Sequence, residues 1–354
     1  MSRNTARTKL LESRTTESQA ATAPGRSCPL HYRYAPRSLA RPAEIECETL
    51  YVVGGLYGNE AALNKVIELF DREVGNKRLV FNGDFNWFNV DAASFESINH
   101  RVMGFDALRG NVETELGDDA SSEDSGCGCA YPDWVDSGVV DRSNRIMRRL
   151  RATAAQFPEL QRGLAALPMT LRVDVGNPKV GDPNVGHPNE RGVRVAVVHG
   201  DAQSLAGWGF AQESLRSSAH RQLVRGWFDA AEVDVFASSH TCAPVFQALP
   251  MAGRAMTPVV LNNGAAGMPN FSHDAAGLLS RISLRPFQGP ERRYGETRGA
   301  VHLDAIAINF DAACFQDYFL RQWPQGSDAH ASYWQRIQHG PVCKLADAFS
   351  SMET

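Results

Sequence analysis

Four residues able to bind a metal ion stand just after short apolar segments of the chain. Asp84 follows LVFNG, Asn111 follows ALRG, His199 follows VAVV, and His240 follows VFASS. Apolar runs of this length that end in glycine or polar residues predict buried strands. Because open α/β sheets bind ligands at the carboxyl ends of their strands, we expect these side chains at one site. One carboxylate, one amide and two imidazoles would suit Mn, Fe or Zn.

Each of these residues also has an ordinary structural explanation. A strand-end Asp such as Asp84 often caps a helix or forms a turn, and Asn111 could simply occupy a left-handed turn position. His199 and His240 could be hydrogen-bonded core histidines. The series favours ligation, because a metal-binding side chain recurs at the same place after each of four separate strands.

The elements that must position these side chains begin with residues 51–59, YVVGGLYGN, which read as a buried strand, a glycine turn and the start of a helix. Later segments alternate between strand and helix patterns, which predicts an α/β fold. We expect strands at residues 50–53, 79–81, 107–109, 169–175, 194–198, 233–237, 258–261, 281–285 and 301–310. We expect helices at residues 60–74, 91–103, 137–157, 158–167, 213–228 and 329–338.

The composition excludes several classes of protein. The 354 residues are 43% hydrophobic and 21% charged, with a net charge of −4, so neither nucleic acid nor a membrane surface is indicated as a partner. No apolar run approaches the roughly 20 residues of a membrane helix, and the basic N-terminus lacks the apolar region of a secretory signal. The seven irregularly spaced cysteines predict a reducing compartment, the cytoplasm, rather than a disulfide framework.

Composition shifts along the chain predict one main domain with additions. Residues 1–44 are rich in Arg, Ser, Thr, Pro and Ala without an apolar period, and are expected to form a flexible tail. A nucleic-acid-binding arm is the alternative reading. The main domain spans residues 45–320 and carries an acidic insertion at 113–136 and a helical insertion at 137–167. Residues 321–354 are expected to form a C-terminal helical tail.

Short motifs follow one another in an order shared with a known family. They are Gly58-Asn59 after the first strand, Gly83-Asp84, Gly110-Asn111, His199-Gly200-Asp201, residues 239–244 (SHTCAP) and residues 262–265 (NNGA). This order resembles the calcineurin-like metallophosphoesterases, most closely their small phosphodiesterase branch, over residues 48–310. The resemblance implies a four-layer α/β/β/α sandwich with two central mixed β-sheets. It also implies two adjacent metal ions, bridged by the second-motif Asp and a hydroxide.

The sequence departs from the family pattern at the ligands of one metal only. Gly55 and Tyr57 stand where the first-motif Asp and His are expected, and Cys242 replaces the last His. The ligands of the other metal are all present. Tyr57 and Cys242 could themselves bind a metal in a remodelled second site, or simply pack as a phenol and a small thiol. Glu46 or Asp201 could compensate for the missing carboxylate.

Other departures concern residues around the site. Val112 replaces the third-motif His, which in the family protonates the leaving group or contacts substrate, and Trp87 replaces a supporting Asp of the second motif. His187, in a Pro/Gly-rich loop, could supply the missing imidazole or be a surface residue. Cys127 and Cys129 could be a redox pair or an accessory metal contact, but ordinary loop cysteines are the favoured reading.

The function indicated is that of a metal-dependent phosphoesterase, with phosphodiesterase-like hydrolysis of a small-molecule or nucleotide substrate. Asp84, Asn111 and His199 would act in catalysis by holding a divalent metal, one ion rather than two, which activates water and polarises the phosphoryl group. An alternative is a non-catalytic binding protein of the same fold, with the arginine-rich helix and acidic insertion as interaction surface. A third is an oxygen-using iron site that involves Tyr57 or Cys242.

Overall fold

The computed structural model describes residues 23–117, 125–176 and 192–350. Its strands form two mixed sheets that pack face to face. The strands are β1 (Ile45–Cys47), β2 (Thr49–Val53), β3 (Lys77–Asn82), β4 (Asp106–Leu108), β5 (Thr170–Val175), β6 (Val193–Val198), β7 (Val235–Ser238), β8 (Pro244–Ala248), β9 (Val259–Asn263), β10 (Gly277–Ser283), β11 (Arg292–Arg298), β12 (Val301–Ile308) and β13 (Phe349–Ser350).

The helices lie on the outer faces of the two sheets. They are α1 (Glu60–Asp71), α2 (Ala92–Val102), α3 (Asn111–Gly117), α4 (Ser137–Ala154), α5 (Pro158–Ala166), α6 (Gln212–Leu215), α7 (Ser218–Ala231), α8 (Ala312–Gln322), α9 (Asp328–His339) and α10 (Leu345–Ala348). Side-chain caps fix where several begin; Asn59, for example, accepts a hydrogen bond from the Ala62 N–H at the start of α1. None of these helices has the length and apolarity needed to cross a membrane.

Strand order places the parallel strands side by side in each sheet, at the centre of the seven-stranded sheet and at one edge of the six-stranded sheet. One sheet runs β1-β5-β6-β7-β9-β8-β13, and the other runs β11-β12-β10-β2-β3-β4. β2, β3 and β4 are mutually parallel, as are β6, β7 and β9. The remaining pairs are antiparallel, apart from β1 with β5 and β13 with β8. The carboxyl ends of these parallel strands therefore gather the polar residues that follow them.

The alternation of side chains along β2 explains the four layers. Leu50 and Val52 face the other sheet and pack in the core between the sheets, while Tyr51 and Val53 face the helices of the outer layer. A third apolar cluster, which includes Phe228 of α7, covers the outer face of the seven-stranded sheet. Each such fully buried side chain contributes about 1.5–3 kcal/mol. The expected α/β/β/α sandwich with two mixed sheets is confirmed.

The predicted elements are present, but several boundaries are shifted, such as that of β10, which begins at Gly277 and not at residue 281, and β1, β13 and α3 are among the additional elements. The helix expected at 213–228 is divided, because the Ser217 side chain accepts a hydrogen bond from His220 N–H and starts α7 afresh. β8, β11 and α8 were not predicted from the sequence pattern. β11, RRYGETR, is mostly polar because it is the edge strand of its sheet, where one strand neighbour is missing.

The expected flexible tail at residues 1–44 is wrong for residues 23–44. Two 3₁₀ turns, Leu30–Tyr32 and Pro36–Leu39, carry the fully buried side chains of Tyr32 and Leu39. Leu39 packs in the apolar cluster on the outer face of the seven-stranded sheet. Composition misled the prediction because short 3₁₀ turns have no apolar period to detect.

The expected insertions and C-terminal tail are likewise integral to the fold. The first residues of the acidic insertion belong to α3 and are buried, as are residues 125–129. The basic face of α4 holds α9, since Arg145 pairs with Asp328 and Arg142 donates to Ser332. The helix expected at 329–338 is α9, and β13 adds a strand to the seven-stranded sheet.

Leu39→Ala should destabilise the protein by about 2–5 kcal/mol, because it empties a fully buried position. Leu30→Ala is the matched control: Leu30 lies in the neighbouring 3₁₀ turn with 80% of its surface exposed. Its substitution should change the free energy of unfolding by less than about 0.5 kcal/mol. Urea unfolding of both variants measures the difference. Equal midpoints would contradict the packed arrangement of residues 23–44.

Candidate metal centre

The site lies where the carboxyl ends of four strands, two from each sheet, meet. The Asn82 side chain at the end of β3 donates to the Val198 carbonyl at the end of β6 (2.8 Å) and ties the two sheets together. The chain then makes a tight turn at Gly83, which directs Asp84 toward the junction. Only glycine fits at this turn, because a Cβ on Gly83 would lie 2.5 Å from the Gly110 nitrogen. Asp84 itself has a left-handed φ of 54°, a costly conformation that is typical of functional sites.

The structure brings together the side chains of the four residues predicted as metal ligands. His199 Nε2 lies 3.4 Å from Asp84 Oδ2, 3.2 Å from Asn111 Oδ1 and 3.2 Å from His240 Nδ1. One ligand atom each from Asp84, His199 and His240 fall within 4.8 Å of one another. All four residues are buried.

A main-chain group fixes the orientation of each of these side chains. His199 Nδ1 faces the Asn82 carbonyl (2.8 Å), and His240 Nε2 faces the Cys129 carbonyl (3.0 Å). Because a carbonyl oxygen only accepts hydrogen bonds, each of these ring nitrogens carries the proton. Asn111 Nδ2 donates to the Cys127 carbonyl (2.9 Å), which turns Oδ1 inward. The Val112 N–H donates to Asp84 Oδ1 (3.2 Å) and leaves Oδ2 inward.

As a result, four lone-pair atoms face one another at the centre. Asp84 Oδ2, Asn111 Oδ1, His199 Nε2 and His240 Nδ1 are all acceptors when both rings are neutral. His199 Nε2 lies 3.2–3.4 Å from each of the other three atoms, a separation typical of ligands that share one ion, since bonds of about 2.0–2.2 Å at tetrahedral or octahedral angles put ligands about 3.0–3.4 Å apart. The donor set and its hydrogen-bonded outer atoms therefore fit a divalent cation.

The electrostatics of the cluster favour positive charge at its centre. Burial raises the pKa of Asp84, but the nearby His199 outweighs it, and the net pKa is below the usual value. Burial lowers the pKa of His199, but the charge and hydrogen bond of Asp84 raise it above its usual value overall. Burial and then His199 lower the pKa of His240 to about 4, so His240 is neutral near pH 7 and free to bind a metal.

Glu113, which sequence reasoning did not single out, joins the two loops that carry Asp84 and Asn111. Its Oε2 accepts from the N–H groups of Asp84 (2.6 Å) and Gly110 (3.1 Å), and its Oε1 accepts from those of Phe85 and Asn86 (3.0 and 3.2 Å). Glu113 is fully buried, and burial together with the charge of Asp84 raises its pKa to about 7. The sequence signal that could have identified Glu113 was its position directly after Asn111-Val112 in the third motif.

The positions of the missing ligands are filled by the replacements themselves. A Cβ on Gly55 would lie 2.9 Å from the ring of Tyr57, so the phenol occupies the space into which a first-motif Asp would project. The Tyr57 hydroxyl contacts Cys242 Sγ at 2.6 Å. Burial raises the pKa of both groups, which favours their protonated forms. Cys242 is not part of the cluster of ligand atoms.

A small cavity of about 50 Å³ opens beside the cluster and has a largely aromatic wall. Trp87, at the position of the missing second-motif Asp, and Val112, at that of the missing third-motif His, both line it. Trp208 meets the His240 ring edge-on, with centroids 5.4 Å apart, and donates from Nε1 to the Cys129 carbonyl (3.0 Å). Tyr131 and Tyr333 complete the aromatic wall.

The remaining candidates from the sequence lie outside the cluster. Glu46 is exposed on β1, and Asp201 accepts from the N–H groups of residues 203, 204 and 209, so neither replaces the missing carboxylate. His187 lies outside the described residues. Cys127 and Cys129 are buried, and their carbonyls orient the predicted ligands Asn111 and His240, while the Cys129 thiol accepts a longer hydrogen bond from Asn111 Nδ2 (3.5 Å).

Comparison with known proteins finds similarity in structure and not in sequence. No family model matches the chain, and no curated protein matches it. A metallophosphoesterase of Sphaerobacter thermophilus matches over 83% of this chain and 100% of its own, with 14% identity and a TM-score of 0.49. Hypothetical protein PH1004 of Pyrococcus horikoshii OT3 matches over 83% and 99%, with 13% identity and a TM-score of 0.48.

A more distant match is Vacuolar Protein Sorting 29 of Cryptosporidium parvum, over 74% of this chain and 98% of that chain, with 12% identity and a TM-score of 0.32. Likeness at this level concerns architecture and carries no information about substrate. The four-layer architecture is established by this chain's own sheet order and strand-end site, described above.

The protein supplied with Zn or Mn should bind about one metal ion per chain, as expected of a single mixed O/N site. His240→Ala should weaken binding by more than about 100-fold, the upper range for groups that only support a ligand. His100→Ala is the control, because His100 is an exposed residue of α2. Elemental analysis after gel filtration gives the stoichiometry. Two ions per chain, or full binding by His240→Ala, would contradict this assignment.

Glu113→Gln should lower the free energy of unfolding by about 2–5 kcal/mol, because an amide NH₂ leaves two buried N–H groups without an acceptor. It should also weaken metal binding, since those N–H groups belong to the loops that carry two ligands. Glu291→Gln is the control: Glu291 is buried but pairs with the half-exposed Arg72, an interaction of at most about 1 kcal/mol. Chemical denaturation and metal titration compare the two variants.

Proposed function

We propose that this protein is a metal-dependent phosphoesterase of the phosphodiesterase type that works with one metal ion. The observation that carries the proposal is the convergence of four inward-facing acceptor atoms, from Asp84, Asn111, His199 and His240, beside a cavity. A divalent cation bound there would supply Lewis acidity and lower the pKa of a water molecule near a phosphoryl group.

The residues around the cluster prepare it for that chemistry. Asn82, Cys127 and Cys129 hold their ligands through main-chain carbonyls, so little reorganisation is needed at the moment of reaction. The aromatic wall limits the entry of water, which strengthens the electrostatic interactions inside. The small size of the cavity suits a phosphoryl group, while bulkier parts of a substrate would lie against the aromatic side chains at its mouth.

Charge in the cavity favours a phosphodiester over a phosphomonoester. Asp84 is the one charged side chain among the described residues that line the cavity. A divalent cation would leave a net charge of about +1, which matches a monoanionic diester but not a dianionic monoester. The nearby Arg336 is already committed to the carbonyls of Pro269 and Cys242.

The cavity also favours esters of acidic alcohols. Val112 occupies the place of the imidazole that the family uses near the leaving group, and Tyr57 and Cys242 have raised pKa values that make them poor acids. A leaving alcohol of low pKa departs without a proton donor. Aryl or similarly activated diesters should therefore react fastest.

One observation favours a second candidate, a non-catalytic binding protein of the same fold. The direct contact between Tyr57 and Cys242 fills the neighbouring metal position, so the stabilisation that a second ion would give to attacking and leaving oxygens is missing. A non-catalytic protein that uses the Asp84 site only for structure or ligand binding would have the same filled neighbouring position. A cytoplasmic location is part of either proposal, because all seven cysteines are free thiols.

With Mn or Zn present, the protein should hydrolyse bis(p-nitrophenyl) phosphate with a kcat/KM at least about tenfold above that for p-nitrophenyl phosphate, which corresponds to about 1.4 kcal/mol of charge discrimination. Asp84→Asn should remove the activity and His100→Ala should retain it. The release of p-nitrophenol measures both rates. A metal-loaded protein that turns over neither ester would favour the binding-protein alternative, and a preference for the monoester would contradict the charge argument.

A further inference from the structure

Two of the four predicted ligands depend on one short turn for their orientation. Residues 125–129 supply the Cys127 carbonyl that fixes Asn111 and the Cys129 carbonyl that fixes His240. This turn belongs to no helix or strand. A displacement of the turn would therefore move both acceptor atoms at once, and metal sites tolerate errors of only about 0.5 Å.

A chain of three side chains, of which Tyr32 and Glu115 are buried and Arg151 is half-buried, holds the turn in place. Arg151 of α4 donates to the Gly126 carbonyl (3.2 Å) and forms an ion pair with Glu115 of α3. The other oxygen of Glu115 accepts a hydrogen bond of 2.6 Å from the Tyr32 hydroxyl. Tyr32 is fully buried, and the Glu115 side chain is 3% exposed.

The turn packs directly against these groups. Gly128 has a left-handed φ of 64°, and a Cβ there would lie 2.4 Å from the Tyr32 hydroxyl and 2.9 Å from Glu115 Oε1. Gly128 therefore packs directly against the hydrogen bond between the Tyr32 hydroxyl and the Glu115 carboxylate. Any change in the orientation of the Glu115 side chain alters both this contact and the hydrogen bond from Arg151 to the Gly126 carbonyl.

We infer that Tyr32, Glu115 and Arg151 form a positioning network for the metal centre, through which the N-terminal segment sets the orientation of Asn111 and His240. The inference rests on the proposed metal site, but its geometry exists in the protein without metal. Tyr32 does not line the cavity, and its hydroxyl bonds to Glu115 and packs against Gly128, so it acts through the turn at residues 125–129. It is a positioning residue rather than a catalytic one.

The chain contains a matched control for this network. Tyr51, also fully buried, donates to Glu73 (2.9 Å), and Glu73 pairs with Arg281 (2.5 Å). This second Tyr–Glu–Arg chain has the same chemistry, but it lies on the six-stranded sheet and bonds to no group that orients a ligand. Tyr51→Phe thus removes the same kind of hydrogen bond without reaching the metal centre.

The test compares Tyr32→Phe with Tyr51→Phe by two readouts besides stability. In metal-free protein with ¹⁵N-labelled histidine, the His240 resonance, assigned with His240→Ala, reports the Nε2–H bond to the Cys129 carbonyl. In Co²⁺-loaded protein, visible absorption gives the dissociation constant. We expect Tyr32→Phe to shift the His240 resonance and to raise the Co²⁺ dissociation constant about tenfold, the lower end for groups that support ligands. Tyr51→Phe should leave both unchanged at a similar loss of Tm.

Glu115→Gln provides a second variant, which weakens the ion pair to Arg151 and should move both readouts in the same direction as Tyr32→Phe. The inference is overturned if Tyr32→Phe lowers Tm while the His240 resonance and the Co²⁺ dissociation constant match those of Tyr51→Phe. If the parent protein binds no Co²⁺, the proposed function fails. The His240 resonance then still decides whether the Tyr32 network positions that side chain.

Discussion

The mutual repulsion of four acceptor atoms is the constraint on which the site depends. In each of the four residues, the outer polar atom of the side chain is hydrogen-bonded to a main-chain group, which leaves only lone pairs at the centre. The residues are Asp84, Asn111, His199 and His240. Such an arrangement is unfavourable without positive charge, because buried acceptors that lack a donor are costly. A proton on His199 relieves part of that cost, and the raised pKa of this imidazole follows from it. A divalent cation would relieve it for all four atoms together.

The same reasoning explains why the half of the site that holds Tyr57 and Cys242 is stable. Tyr57 and Cys242 both have left-handed backbone conformations, with φ values of 57° and 56°, so the loops keep strained turns although their ligands have changed. The phenol and thiol satisfy each other and need no cation. One half of the junction is thus neutral and self-contained, while the other half requires positive charge. The chemistry available to the protein follows from this asymmetry.

Much of the fold could be predicted, because its signals are local. The apolar runs before Asp84, His199 and His240 defined the central strands, and their parallel arrangement placed the following residues at one edge. Elements without an apolar period were missed. Tyr32 was assigned to a flexible tail because its burial comes from packing against distant residues. Nothing in the local sequence records such a contact.

The support of the site was beyond prediction for a different reason. Three of the four ligand orientations depend on carbonyl oxygens, and a carbonyl has no sequence identity. Cys127 and Cys129 drew attention for their thiols, yet their main-chain oxygens make the shorter hydrogen bonds that orient the predicted ligands. Sequence reveals which side chains could bind a metal, because binding requires a particular chemistry. It does not reveal which groups orient those side chains, since any residue type that permits the turn could present the same main-chain oxygen. The glycines at positions 126 and 128, where φ is 65° and 64° and space is absent, are visible traces of that requirement.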